Sequence, residues 1–234
     1  MLHYLYDTNK TTLTARVIGV GGDEKGSYLL LAETIFYPQG GGQPADQGII
    51  KTESEVLLIH FAGFIDGAVR HYTIAPISED LIGQSVFCEI DHDRRDLNAR
   101  YHTAGHLLAD VVSRIYPPAR AVKGHQFPGE AYVEFIDIPE GSMDIQMIQN
   151  ALNQQIQLGI SVQICEMTKN EYEEKYGVLP YPTPDDKPFR MIAIETFPPV
   201  PCGGTHVKNT MDIGAVKIRK VTNKQGRTKV SYEL

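Results

Sequence analysis

The sequence is short of several features that would place it in a specialised class. It has no tryptophan and three cysteines in 234 residues, and so sparse and odd a cysteine count excludes a disulfide framework and favours a reducing cytoplasm. Its longest apolar runs span only a few residues, as at 28–32, whereas a membrane-spanning helix needs about 20. The N-terminus also lacks the basic region and the long apolar stretch of a secretory signal. A cytoplasmic globular protein without a membrane partner is therefore expected.

Charge is unevenly distributed along the chain. There are 29 acidic and 22 basic side chains, for a formal net charge of −7, and the excess of acid lies almost wholly within residues 1–90. This balance argues against a non-specific polyanion binder, and no DNA partner is expected. Toward the C-terminus the sign reverses, because thirteen residues without an acid contain six basic ones. These candidate phosphate-binding residues are Lys217, Arg219, Lys220, Lys224, Arg227 and Lys229.

The pattern of apolar residues changes near residue 91. Before it, short runs rich in β-branched and aromatic residues are separated by glycine-containing turns, which predicts a small all-β barrel or sandwich. From about 93 to 115, apolar residues recur at three- and four-residue steps, which predicts one long helix that ends before two prolines. Helices and strands alternate in the rest. The sequence thus predicts an α+β protein with an N-terminal β-barrel domain at 1–90 and an α+β domain at 91–234.

Local signals refine the second domain. Ser142 is predicted to cap a helix, and residues 168–171 match a capping box that opens another helix. Residues 177–188 hold four prolines and are predicted to form a loop. A hairpin is predicted around residues 223–226.

Two pairs of residues have the spacing of metal ligands. His102 and His106 stand at i and i+4 of the predicted helix, so both imidazoles lie on one face, and Cys202 and His206 flank a glycine-containing loop. Chance alone produces an H-x-x-x-H spacing roughly 0.27 times and a C-x-x-x-H spacing roughly 0.10 times in such a chain, so either pair alone is weak support. Both pairs together favour a metal site over a surface or core histidine pair. Nitrogen and sulfur ligands indicate Zn²⁺ rather than Mg²⁺ or Ca²⁺.

A run of three glycines is the other unusual segment. Gly40, Gly41 and Gly42 remove every Cβ, so a ligand can approach the backbone N–H groups, and Gln43 offers a donor and an acceptor beside them. No Gly-Lys-Ser/Thr follows, so the run is not a phosphate-binding P-loop. A turn with a β-bulge inside the barrel explains the spacing equally well.

Three motifs together resemble the editing module of alanyl-tRNA synthetase. They are GGGQPAD at 40–46, HTAGHLL at 102–108 and CGGTHV at 202–207, and their order and separations also match. Because the chain starts directly with the β domain, it resembles the free-standing relatives called AlaX, in the longer form that keeps the glycine motif. The resemblance covers essentially the whole chain.

The resemblance implies a cytoplasmic, ATP-independent hydrolase that removes serine, and as a second candidate glycine, from mischarged tRNA(Ala). The implied fold is a β-barrel domain followed by an editing domain of the threonyl and alanyl-tRNA synthetase type, and the basic residues near the C-terminus become candidate RNA contacts. The family's zinc ligands, which form its catalytic centre, match His102, His106, Cys202 and His206. Its amino-acid-discriminating motif matches Gly40, Gly41, Gly42 and Gln43.

Several alternatives stay open at this point. Four protein ligands would make the zinc structural, whereas three would leave a position for water or substrate, and His206 is expected to be the loosest ligand because it ends a loop. Either Gln43 or Thr103 can bind the hydroxyl that distinguishes serine from alanine. A zinc peptidase is disfavoured because no Glu follows His102. A non-catalytic RNA-binding module with a structural zinc is the second candidate function.

Overall fold

The computed structural model describes residues 1–139, 141–178 and 187–234. The chain forms two compact units, Met1–Ala99 and Arg100–Leu234. Its described residues form antiparallel sheets and three α-helices, which confirms the predicted α+β class. The predicted boundary at residue 91 coincides with the start of a helix, whereas the compact units divide within that helix. Among the described residues, no helix has the length and apolar character needed to cross a membrane.

The first unit is built on seven strands that form one antiparallel sheet. They are β1 (Thr12–Asp23), β2 (Gly26–Leu31), β3 (Gly48–Lys51), β4 (Val56–Ile59), β5 (Phe61–Ile65), β6 (Ala68–Thr73) and β7 (Ser85–Ile90). Their order is β4-β3-β7-β1-β2-β6-β5. Short apolar runs in the sequence predict strands at 13–20, 28–32, 55–61, 68–73 and 84–90, which correspond to β1, β2, β4, β6 and β7. The prediction misses β3 and β5, and it extends β4 to the first residue of β5.

The sheet is curled but open, whereas the sequence predicts a barrel. Strand β1 is long enough to pair with a different strand along each part of its length. Thr12–Arg16 pair with β7 and Val17–Asp23 pair with β2, with a register shift between Val17 and Gly19. Such an irregularity bends a strand. The edge strands β4 and β5 follow each other in the chain, and no ladder joins them in the described part of the sheet. Alternate side chains point inward, so Leu29, Ile50, Leu57, Ile59 and Cys88 are fully or almost fully buried.

Helix α1 (His92–Ile115) confirms the predicted long helix. Helix α2 (Ile145–Gln157) has its N-cap at Asp144 rather than at the predicted Ser142. The Asp144 carboxylate accepts hydrogen bonds from the backbone N–H groups of Gln146 and Met147, whereas the Ser142 hydroxyl donates to the Pro139 carbonyl. Helix α3 (Lys169–Tyr176) begins at the predicted capping box of Thr168 and Glu171.

Two further sheets complete the second unit. Strands β8 (Arg120–His125), β9 (Tyr132–Ile136), β13 (Lys217–Lys224) and β14 (Arg227–Glu233) form a sheet of order β13-β14-β9-β8. Strands β10 (Val162–Met167), β11 (Phe189–Ile194) and β12 (Val200–Pro201) form the other. The predicted hairpin is β13 and β14. Residues 179–186 of the predicted proline-rich loop lie outside the described residues.

Candidate metal centre

Helix α1 positions the first two candidate ligands. His102 and His106 lie one turn apart, with ring centroids 5.0 Å apart and ring planes 13° from parallel. Other side chains of the same stretch, Ala104, Leu107 and Leu108, are completely buried and hold the helix in place. The apolar periodicity that predicts the helix thereby also sets the direction in which both imidazoles point.

The loop at 202–206 supplies the other two. Cys202 directly follows strand β12, and its backbone N–H donates to the Arg190 carbonyl at 3.3 Å. The Gly204 N–H donates to Cys202 Sγ at 3.3 Å, so the chain turns tightly around the sulfur. His206 ends the loop and is buried.

The four side chains converge on one point. A ligand atom from each of them lies within 4.8 Å of all the others. Cys202 Sγ is 3.5 Å from His102 Nε2 and 3.4 Å from His206 Nε2. Those distances match the separation of about 3.3–3.7 Å that tetrahedral zinc, with bonds of about 2.0–2.3 Å, imposes on its donor atoms. His106 Nε2 is buried and has no hydrogen-bond partner among the described residues, so a metal ion would satisfy it.

Burial keeps the three imidazoles of the cluster in the neutral form that binds metal. It lowers the pKa of His106 to about 4 and the pKa values of His102 and His206 well below their ordinary value, and repulsion from neighbouring imidazoles lowers the latter two further. All three imidazoles are therefore neutral near pH 7, as metal ligands must be. Burial also raises the pKa of the Cys202 thiol, so metal binding is expected to release its proton.

Arg190 on strand β11 holds the loop at 202–206 in place, and no pattern in the sequence predicts this role. Its guanidinium donates to the Cys202 carbonyl and, at 3.0 Å, to the Gly204 carbonyl. A planar fork that reaches two carbonyls fixes both position and orientation. No motif spacing marks this residue, because its partners are backbone atoms whose identity leaves no trace in the sequence.

Arg190→Lys is expected to weaken zinc binding by about 10–100-fold, the usual effect of losing a group that orients ligands. A lysine ammonium lacks the rigid fork that holds both carbonyls. Competition with a chromophoric chelator measures the affinity. Arg120→Lys is the matched control, since Arg120 is an exposed residue that pairs with Asp137. Equal zinc affinity in Arg190→Lys and the wild type would show that the loop needs no brace.

Thr103 holds the ring of His206. Its Oγ1 is 3.2 Å from His206 Nδ1 and accepts a hydrogen bond from the Val207 N–H at 3.2 Å, and the side chain is completely buried. The expectation that His206 is the loosest ligand assumed an unrestrained loop end. The structure instead shows a buried imidazole with an orienting partner. Whether Thr103 also binds a substrate hydroxyl stays a prediction.

The glycine-rich loop belongs to the first unit and forms a tight turn. Gly40 and Gln43 exchange backbone hydrogen bonds of 2.9 and 3.2 Å around Gly41 and Gly42, whose φ values of 55° and 82° require the left-handed region. The Tyr37 hydroxyl donates to the Gly40 carbonyl at 2.8 Å. Gly40 and Gly41 are exposed, whereas the Gln43 side chain is fully buried. The turn interpretation accounts for the backbone, and the ligand-binding role stays a prediction.

A buried ion pair anchors the same loop. The Asp46 carboxylate accepts hydrogen bonds from the Arg95 guanidinium and, at 2.6 Å, from the Tyr37 N–H. Arg95 also donates to the Thr8 and Ile35 carbonyls at 2.8 and 2.6 Å. Both charged side chains are almost completely excluded from solvent. The predicted motif GGGQPAD therefore ends on a structural residue.

The six basic residues near the C-terminus lie on the hairpin β13–β14, in the second unit. Some are paired: Lys217 and Arg219 lie 3.7 and 3.4 Å from Glu233, and Arg227 lies 3.3 Å from Glu134. The Lys229 ammonium lies over the Tyr132 ring. In the described part of the chain no ion pair involves the other two, Lys220 and Lys224.

Comparisons with known proteins assign the chain to a class. The family described as the threonyl and alanyl tRNA synthetase second additional domain matches residues 189–229. The family described as tRNA synthetases class II (A) matches residues 10–94. The matched stretches thus resemble domains of the threonyl and alanyl-tRNA synthetase type, and Cys202 and His206 lie within the second of them.

Individual relatives narrow the class to a family. The alanine–tRNA ligase of Methanosphaera stadtmanae is 32% identical over 234 residues, which cover 96% of this chain and 25% of the relative. The alanine–tRNA ligase of Aeropyrum pernix is 35% identical over 210 residues, which cover 87% of this chain and 23% of the relative. The chain spans about a quarter of the length of these curated relatives. It belongs to the AlaX-like editing domains, homologous to the editing domain of alanyl-tRNA synthetase, and this homology supports an editing function.

Proposed function

We propose that the chain is a zinc-dependent hydrolase that deacylates tRNA(Ala) mischarged with serine, with the glycyl ester as a second substrate. The observation that carries this proposal is the convergence of His102, His106, Cys202 and His206, the first and last of them buried and the other two half-buried, in a chain of this family. The cytoplasm is the proposed compartment, which agrees with three free cysteines. The reaction requires no ATP, because an aminoacyl ester is already activated.

The chain's own residues supply the arrangement that such a hydrolysis needs. A zinc ion held here would provide Lewis-acid stabilisation for the negative charge that develops on the ester oxygen. His102 and His106 project from a rigid helix, Thr103 orients His206, and Arg190 holds the backbone on either side of Cys202. These restraints reduce the reorganisation that the site undergoes during the reaction.

The structural-zinc alternative makes a different prediction for substrate turnover. A closed site with four fixed ligands and no open position would bind RNA without hydrolysing the ester. Incubating the metal-loaded protein with seryl-, glycyl- and alanyl-tRNA(Ala) separates the two. Selective release of serine supports the proposed function, whereas stable binding without release of any amino acid supports the alternative.

The glycine-rich motif is proposed to discriminate serine from alanine. A site that excludes alanine must require the hydroxyl, because an alanine pocket rejects the larger serine poorly. Gly40, Gly41 and Gly42 would leave the backbone accessible, and Gln43 would provide the hydrogen-bonding amide. The turn geometry and the buried position of Gln43 agree with a fixed rather than an adaptable recognition element.

Gln43→Ala is expected to reduce the ratio of seryl- to alanyl-tRNA hydrolysis several-fold to about tenfold, since one hydrogen bond contributes about 0.5–1.5 kcal/mol. Zinc content should not change, because Gln43 is not among the candidate ligands. Gln39→Ala is the matched control, as Gln39 is an exposed glutamine that precedes the same turn. An unchanged ratio would remove Gln43 from the discriminating residues.

The tRNA backbone is proposed to contact the hairpin β13–β14. Its basic residues offer the positive charge that the acidic first unit lacks, and lysines on an edge strand that only maintain solubility are the alternative. Substituting Lys220 and Lys224 tests this contact most directly, because substituting Arg227 would also disturb Glu134.

Charge reversal at Lys220 and Lys224 is expected to weaken tRNA binding and to flatten its dependence on salt concentration, because fewer counterions are released. Zinc content and the preference for serine should persist. Reversal of Arg16 and Lys25, exposed residues of the first unit, is the control with the same change in net charge. If both double variants lose affinity equally, the hairpin has no specific role in docking.

A further inference from the structure

One face of the four-stranded sheet is solvent-exposed, and strand register defines which side chains it carries. Lys229 pairs with Glu134 across β14 and β9, and Glu134 pairs with Lys123 across β9 and β8. Residues opposite each other on neighbouring strands point to the same side of a sheet. On the other side, Val133, Phe135, Val230 and Tyr232 are buried, and the Tyr232 hydroxyl donates to the Tyr101 carbonyl of α1.

A column of stacked rings crosses this exposed face. His125 lies between Phe127 and Tyr132, at centroid distances of 4.4 and 5.2 Å and interplanar angles of 3° and 29°. The Lys229 ammonium lies over the Tyr132 ring, 3.5 Å from its centroid. All three rings are partly exposed. Phe127 ends the column, and among the described residues no other ring covers its outer face.

Positive charge surrounds the column. Register places Lys217, Lys220, Lys224, Arg227 and Lys229 on the same face as the rings, and Lys123 lies 5.9 Å from the Tyr132 ring centroid. The acidic residues of this face, Glu134 and Glu233, are fewer than the basic ones and are already paired with Arg227 and with Lys217 and Arg219. A third carboxylate, that of Glu130, lies 3.6 Å from His125 Nε2 at the column itself. The remaining lysines are available to bind phosphates.

Unpaired bases are commonly bound by exposed aromatic rings on a four-stranded sheet whose other side is covered by helices. Aromatic faces stack with nucleobases of any sequence, while flanking cations hold the phosphates. Core packing does not explain the rings, since each keeps exposed surface. Protection of the sheet edge does not explain the rings either, because charged side chains alone provide that protection.

We propose that the exposed face of β13-β14-β9-β8 is a binding platform for single-stranded RNA, in which an unpaired nucleobase stacks on Phe127 and the backbone follows Lys123, Lys220 and Lys224. That the natural ligand is an unpaired segment of tRNA rests on the proposed function. Binding of single-stranded RNA as such does not.

The test measures fluorescence anisotropy of a short labelled single-stranded RNA and of an RNA duplex with the metal-loaded full chain. Phe127→Leu keeps apolar bulk but removes the aromatic face, whereas Phe127→Tyr keeps it. Phe64→Leu is the matched control, because Phe64 is an exposed aromatic residue of the first unit. Phe127→Leu is expected to weaken single-strand binding by roughly fivefold to a hundredfold, the range for loss of one stacked base. Phe127→Tyr and Phe64→Leu should bind like the wild type.

The outcomes separate this proposal from the proposed function. Normal single-strand affinity in Phe127→Leu, or an equal loss in Phe64→Leu, overturns the platform even if seryl-tRNA(Ala) is hydrolysed. A selective loss in Phe127→Leu supports the platform even if no ester is hydrolysed. Zinc content and thermal unfolding of each variant identify a misfolded protein, and for such a variant Lys123→Glu, which leaves the rings intact, supplies the same comparison with Lys25→Glu.

Discussion

His102→Ala and Cys202→Ala are each expected to weaken zinc binding and to abolish the hydrolysis of seryl-tRNA(Ala). Each substitution removes one of four converging donors, so that water must take the fourth position of the tetrahedron and the ion is held less tightly. Stability falls as well, because binding to the folded state alone contributes about 2.7 kcal/mol when free metal is a hundred times its dissociation constant. Metal analysis, a deacylation assay and thermal unfolding measure the three effects.

One cysteine and one histidine outside the cluster provide matched controls for the two variants. Cys165 lies on β10, and His92 is exposed at the start of α1; neither belongs to the cluster. Cys165→Ala and His92→Ala are expected to keep zinc and activity. A full equivalent of zinc together with undiminished hydrolysis in Cys202→Ala would refute the assignment of this residue as a ligand.

Asp46→Ala is expected to lower the free energy of unfolding by about 3–5 kcal/mol, the usual effect of leaving a buried charge without its partner. The Arg95 guanidinium would remain buried against the Thr8 and Ile35 carbonyls, and the Tyr37 N–H would lose its acceptor. Urea unfolding measures the loss. Because the residues share one network, Asp46→Ala combined with Arg95→Ala should cost less than the sum of the single changes.

An exposed ion pair provides the reference for the loss of stability expected in Asp46→Ala. Lys51 and Glu89 lie 3.0 Å apart with nearly half of each side chain in solvent, so Glu89→Ala should cost about 1 kcal/mol or less. If Asp46→Ala destabilises the protein no more than Glu89→Ala, the ion pair does not anchor the glycine-rich loop.

Elements specified by local pattern were predicted well. Helix α1 follows from the apolar periodicity of residues 93–115, and α3 begins at Thr168 because both halves of its capping box lie within four residues. The candidate metal ligands could be predicted because each pair has a short internal spacing. The fold then brings the two pairs together across about a hundred residues of sequence.

Features that depend on distant partners were missed or differ. Strand β3 has only four residues and β8 has no buried side chain, so neither carries the alternation that reveals a strand. Closure of the first sheet depends on pairing between its edges, which no local pattern encodes. Asp144 replaces Ser142 as a cap because a carboxylate reaches two N–H groups there. Arg190 acts on backbone carbonyls and therefore leaves no sequence motif.

The most direct measurement of the central claim is hydrolysis of seryl-tRNA(Ala) by the metal-depleted protein as zinc is added back. If the four side chains hold a catalytic ion, the depleted protein is inactive and activity rises in proportion to zinc up to one equivalent, with alanyl-tRNA(Ala) left intact. Undiminished serine release without zinc, or none at full zinc occupancy, would contradict the account.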